Sequence, residues 1–102
     1  MTVKLVALYT QPDDPDVFER HYAETHVPMV HQIPGLQRLE TGRFIAEADG
    51  GEAIFYRTAS LYFADRAALD RALATAEAQA AVADYAKIAP PGSRILVEDV
   101  DA

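Results

Sequence analysis

Apolar and polar positions along the chain change period four times, and each change predicts an element. Val3 to Tyr9 (VKLVALY) is short, apolar and partly β-branched, and Thr10-Gln11-Pro12-Asp13 bounds it; this predicts a first strand. Asp14 then suits a helix N-cap, and Pro15 the first helical position, where its missing N–H costs nothing. Phe18, Tyr22, Thr25, Met29 and Ile33 recur at three- and four-residue steps and mark one helical face. Pro28 disfavours helical geometry at Val27, which predicts a break there and a further short turn to Gln32. Pro34-Gly35 ends the segment.

Leu36 to Glu47 is expected as the second strand, Ala48 to Glu52 as a hairpin loop with Asp-Gly turn chemistry, and Ala53 to Phe63 as the third strand. Asp65 caps a second helix with the stripe Leu69, Ala72, Leu73, Ala76, Ala80 and Ala83, and Thr75 can start a fresh turn inside it. Pro90-Pro91-Gly92 stops the helix, Ser93 to Val100 is a fourth strand, and Asp101-Ala102 is a tail. The order β-α-β-β-α-β is the ferredoxin-like arrangement of the α+β class, with two helices on one face of a four-stranded antiparallel sheet.

Such a sheet should be polar on its open face. Here both alternating sets carry large apolar groups: Phe55, Arg57, Ala59, Leu61, Phe63 against Ile54, Tyr56, Thr58, Ser60, Tyr62. Exposing that surface is unusual for a monomer, so a homodimer that pairs its sheets is expected.

The 102 residues suit one domain, 1–102. Sixteen acidic against nine scattered basic residues give a charge of −7, which repels nucleic acid and anionic lipid. With no cysteine, disulfides, thiolate nucleophiles and cysteine metal sites are excluded. No apolar run nears the roughly 20 residues that span a bilayer, and Met1-Thr2-Val3-Lys4 has no leader pattern, so a cytoplasmic location is expected.

Chemistry concentrates in Arg20 to Val30 (RHYAETHVPMV), which holds His21 and His26, with His31 just beyond. Histidine exchanges a proton near neutral pH, and a tyrosine such as Tyr22 can donate to a developing oxyanion. On a regular helix, residues five apart diverge by about 140°, and no nearby carboxylate completes a set, which argues against a histidine metal site. His31 is expected at the surface. Taken singly, each of these residues is explained by packing; the cluster beside a core stripe needs partners or a ligand. Arg57, mid-strand on an apolar face, also needs an anion, and Glu40 is a protein partner for it. The Ala-rich stretch Ala72 to Ala89 offers close packing and no chemistry. No phosphate-cradling loop, Gly-x-Ser-x-Gly elbow or dinucleotide fingerprint is present.

MTVKLVALYTQPDD at the start, then His21-Tyr22-x-x-Thr25-His26-Val27-Pro28, Ile33-Pro34-Gly35-Leu36, Leu61 to Asp65 and the Ala-rich helix with Gln79, resemble the EthD family. The resemblance covers nearly the whole chain. It implies the dimeric α/β-barrel superfamily, in which two ferredoxin-like subunits face their sheets and a pocket lies between sheet and helices. That superfamily includes cofactor-free monooxygenases, polyketide cyclases, muconolactone isomerases and haem-handling branches. The family takes its name from ethyl tert-butyl ether degradation beside a cytochrome P450 system. The resemblance carries over to His21, Tyr22, His26 and Pro28.

Two main readings follow. One is an enzyme without cofactor that oxygenates, isomerises or cyclises a small hydrophobic molecule, with His21 or His26 as acid/base and Tyr22 as hydrogen-bond donor. The other is an accessory or ligand-sequestering dimer serving a partner oxidase. Haem binding through one histidine is a third.

Overall fold

The computed structural model describes residues 2–101; Met1, where the resemblance begins, and Ala102, the end of the tail, lie outside them. The elements run β1 (Thr2–Thr10), α1 (Pro15–His21), a π-helical turn (Tyr22–His26), α2 (Val27–His31), β2 (Arg38–Arg43), β3 (Phe55–Phe63), α3 (Arg66–Leu73), α4 (Ala76–Ile88) and β4 (Arg94–Val100). The sheet order is β2-β3-β1-β4, antiparallel throughout, so the fold is the expected ferredoxin-like α+β arrangement. Val3, Leu5, Ala7 and Tyr9 of β1 alternate into the core with Ala59, Leu61 and Phe63 of β3.

The caps expected from sequence are formed. Asp14 Oδ1 accepts from Val17 N at 3.2 Å, and Asp65 Oδ1 from Ala68 N at 2.8 Å. Thr75 does start a new helix, its Oγ1 accepting from Ala78 N at 3.2 Å. That interruption resets the helical phase. The buried face of α4 is therefore Ala78, Ala81 and Asp84, and the expected continuation through Ala76, Ala80 and Ala83 is exposed.

The expected break at Val27 is absent: Val27 is helical (φ −58°, ψ −45°) and the backbone runs on through Pro28. Pro28 has no N–H, and its ring would crowd the carbonyl of Glu24, four residues back. A wider turn removes the conflict, with Val27 N–H bonding to Tyr22 O, five residues back. One residue is thereby inserted into the helical phase. The buried stripe becomes Phe18, Tyr22, His26, Val30 and Ile33, in place of the expected Thr25 and Met29.

β2 and β3 are shorter than expected. Phe44 to Ile54 leave the regular ladder, although Glu47 N still bonds to Gly51 O at 2.7 Å. Gly50, at φ +91°, makes the turn that its neighbour Asp49 anticipates. At the start of β3, beside this loop, its register with β1 slips: Tyr9 pairs with Arg57 but Thr10 with Phe55. The extra residue, Tyr56, and its neighbour Arg57 both reach α1 through this bulge, Tyr56 packing edge-on to Phe18 and Arg57 binding Glu19.

The open face is mixed. Val6, Leu8 and Leu96 share it with Thr58 and Ser60, and the ion pairs Lys4–Glu98 and Arg38–Glu40 flank them. Among the described residues, no helix is long and apolar enough to cross a membrane.

Candidate functional site

The π turn decides the geometry of the two candidate histidines. In an i→i+5 turn, residues five apart take nearly the stacked relation that residues four apart have in an α-helix. The 140° divergence expected of His21 and His26 is cancelled, and both reach one carboxylate on α4. His26 Nδ1 lies 2.8 Å from Asp84 Oδ2; His21 Nε2 lies 2.9 Å from Oδ1 and 3.1 Å from Oδ2.

Burial pushes the Asp84 carboxyl up, but the hydrogen bonds from His21 and His26 outweigh it and hold the group below its ordinary range. An ionised carboxylate only accepts, so His26 Nδ1 carries a proton. In the neutral ring Nε2 is then an acceptor, and Tyr9 Oη, 3.3 Å away, donates to it. Burial drives the Tyr9 phenol far above its ordinary value, with Tyr22, Tyr85 and Asp84 adding to the effect, so Tyr9 stays a donor. The chain of contacts is thus Asp84, His26, Tyr9.

Aromatic rings fix this chain in place. Tyr9 meets Phe18, Tyr22 and Tyr85 with centroids 5.3, 5.6 and 5.0 Å away, and Tyr22 stacks on His26 at 5.7 Å. Tyr85 Oη donates to Leu8 O at 3.2 Å. Arg57 sits 4.6 Å over the Tyr22 ring and pairs with Glu19 through two contacts, Nε–Oε2 at 3.1 Å and Nη2–Oε1. The partner expected for Arg57, Glu40, instead bonds Arg38 and Tyr62, because β2 carries it onto the open face.

Two hollows meet this network. A cavity of about 40 Å³ lies between sheet and helices, walled by Tyr9, Tyr22, His26, Val30, Ala81 and Tyr85 among otherwise apolar side chains. Its outer end is marked by Val82 of α4 and Ile95 of β4, both exposed. His21 faces away, into a groove of about 660 Å³ bounded by Asp13, Asp14, Phe18, Ile54 and Lys87. His31 is exposed. Both ring nitrogens of His26 are engaged, Nδ1 by Asp84 and Nε2 by Tyr9. Among the described residues no group of three or more His, Asp or Glu is placed to hold a metal ion.

The EthD domain matches residues 11–91 of the chain. The chain belongs to the EthD family. An uncharacterized 11.0 kDa protein in the thcB-thcC intergenic region of Rhodococcus erythropolis is 38% identical over 96 residues, 94% of this chain and 92% of that one. The crystal structure of an EthD family protein from Bacillus halodurans is 34% identical, with a TM-score of 0.93 over 99% of this chain and 100% of that one. SnoaB, a cofactor-independent oxygenase from Streptomyces nogalater, shares the fold at 22% identity and a TM-score of 0.68, covering 99% of this chain and 94% of its own.

In this EthD protein, two of the three residues singled out from sequence, Tyr22 and His26, face the cavity, while His21 faces the groove. Tyr9 and Asp84 were missed. Ala72 to Ala89 was expected to carry no chemistry, yet Asp84 sits on the buried face of α4, one turn beyond Ala81. A carboxylate at that helical spacing, beside Tyr85 and Ile88, is the signal that it needs partners.

Proposed function

We propose that this EthD protein binds a small, uncharged hydrophobic molecule between sheet and helices, and that His26 acts there as acid and base. The observation that carries the reading is the Tyr9–His26 pair, a polar spot in an otherwise apolar cavity with a carboxylate behind it. A proton leaving a C–H or O–H group of the ligand passes to His26 Nε2, and Asp84 stabilises the imidazolium. That transfer removes the acceptor of the Tyr9 hydroxyl, which is then free to donate to the oxyanion forming on the ligand. Tyr22 acts as the stacked wall that holds the imidazole. The scheme serves isomerisation or cyclisation as it stands, and cofactor-free oxygenation, the activity named for SnoaB, where the deprotonated ligand reacts with dioxygen as co-substrate and oxidant.

The present cavity has room for only about three waters. A larger ligand enters by parting Val82 from Ile95, between α4 and β4. A second copy of the chain, covering Val6, Leu8 and Leu96 with its own sheet, completes the proposed assembly.

The alternative reading is a non-catalytic dimer that sequesters a metabolite or serves a partner oxidase. It is favoured by the Tyr9–His26 bond, which leaves both groups satisfied without a ligand. A thermal-shift screen of small neutral aromatics and ketones, followed by product analysis, separates the two. Stabilisation with conversion, lost in His26→Ala, supports the enzyme; stabilisation without conversion supports the carrier. If no compound stabilises the protein, both readings fall.

A further inference from the structure

The cavity between sheet and helices is lined by no Lys, Arg, Asp or Glu, so a charged ligand would lose its hydration there without a counter-charge. Of its phenols, Tyr85 is drawn to Leu8 O, and Tyr22 lies under Arg57. That leaves Tyr9 Oη and His26 Nε2, 3.3 Å apart and bonded to each other. Their roles are fixed from behind. Asp84 keeps the His26 proton on Nδ1, which makes Nε2 an acceptor, and burial keeps the Tyr9 hydroxyl a donor. A ligand that opens this bond therefore frees one donor and one acceptor together. A carbonyl or ether oxygen accepts from Tyr9 but leaves the Nε2 lone pair buried and unpaired. A hydrocarbon pairs with neither. A hydroxyl answers both with one atom, donating to Nε2 and accepting from Tyr9.

We propose that the ligand of this cavity is a phenol or enol, whose hydroxyl oxygen sits between Tyr9 Oη and His26 Nε2. The inference rests on the reading of His26 as acid and base, and names the class of molecule that reading requires. A phenol gives up its proton at about pH 10, within reach of an imidazole supported by a carboxylate, whereas a saturated alcohol holds its proton far more tightly. The rings of Tyr9, Tyr22, His26 and Tyr85 crowd around the spot and suit a flat, unsaturated partner. On transfer the ligand O–H bond breaks, its proton passes to Nε2, and the electron pair stays on the oxygen, which keeps the hydrogen bond from Tyr9.

The test compares p-cresol with anisole, isomers of which the first offers a hydroxyl and the second only an ether oxygen. Their dissociation constants are measured by NMR titration in wild type, in Val30→Ala, where the cavity is wider, in Ala59→Val, where it is partly filled, and in His26→Phe. In wild type and Val30→Ala, p-cresol should bind at least about tenfold more tightly than anisole, and Ala59→Val should abolish its binding. In His26→Phe the preference should fall to about threefold or less, because Tyr9 alone then serves either oxygen. The wild-type ratio decides even where His26→Phe fails to fold. Equal affinities for the two isomers overturn the hydroxyl class and leave a neutral-ligand site standing. A full preference that persists in His26→Phe, or p-cresol binding that survives Ala59→Val, overturns the proposed position of the oxygen. No binding of either isomer, even in Val30→Ala, removes the class and the site together.

Discussion

His26 Nδ1 donates to Asp84 Oδ2 at 2.8 Å, a bond that ties the π turn to α4 across 58 residues of sequence. Asp84 is buried and also binds His21, so Asp84→Asn removes a charge that two donors share. We expect a loss of about 2–3 kcal/mol in urea unfolding at neutral pH. The pH dependence has a definite sign. The carboxyl is held below its ordinary value of 3.8, so its stabilisation is complete above that value and fades as pH falls through the lower, folded value. The gap between wild type and variant should therefore narrow below pH 3.8; a gap constant through the acid range would show that Asp84 is not the ionised partner.

Pro28 tests the π turn. A proline strained inside a regular helix costs about 3 kcal/mol, and replacing it by alanine gives that back. Here the widened turn already removes the clash with the Glu24 carbonyl. Pro28→Ala should accordingly change stability by less than about 1 kcal/mol, with a slight loss from the freer unfolded chain. Stabilisation approaching 3 kcal/mol would mean that the strain had never been relieved.

The same turn explains what could and could not be read from the chain. Strand and helix order, both helix caps and the break at Thr75 follow from local chemistry, so they were legible. Phe18 and Tyr22 precede the inserted residue and were placed on the correct face; Thr25 and Met29 follow it and were not. His26 and Val30 hold those places because phase, unlike propensity, accumulates along a helix. His21 and His26 were recognised as chemistry, but their meeting was hidden by the assumption of regular pitch. Asp84 was hidden differently. Alanines fix no phase, and six of them between Ala74 and Ala83 made every face of α4 look alike.

Glu19 and Arg57 form the other partly buried ion pair, with Arg57 also lying over Tyr22. Burial raises the Glu19 carboxyl, yet the Arg57 hydrogen bonds and charge pull it below its ordinary value. Glu19→Gln leaves the guanidinium without its counter-charge and should cost about 1–2 kcal/mol, reduced by the partial exposure of Glu19. Adding Arg57→Met should recover part of the loss, since an apolar pair removes the stranded charge. A double variant less stable than Glu19→Gln alone would contradict this account of the pair.

The open sheet face gives the prediction for assembly. Leu96 lies on it beside Val6, its register partner. In sedimentation at low micromolar concentration, we expect wild type to run as a dimer and Leu96→Glu as a folded monomer. A carboxylate placed against its symmetry mate in an apolar contact is strongly disfavoured. A wild-type monomer under those conditions removes the second copy from the proposal.

The cavity can be changed in both directions from its walls. Ala59 is buried in β3 and borders the void, and a β-branched side chain suits a strand. Ala59→Val should fill part of the void, raise stability by about 0.5–1 kcal/mol and abolish the thermal shift caused by any cavity ligand. Val30→Ala, on the helical wall, should lower stability by about 2 kcal/mol, because the lost methyl groups leave space behind. A ligand that occupies the void should restore part of that loss, so its thermal shift should be larger in Val30→Ala than in wild type. A compound whose shift is the same in all three proteins binds elsewhere, most plainly in the groove beside His21, and the inner site would then have to be given up.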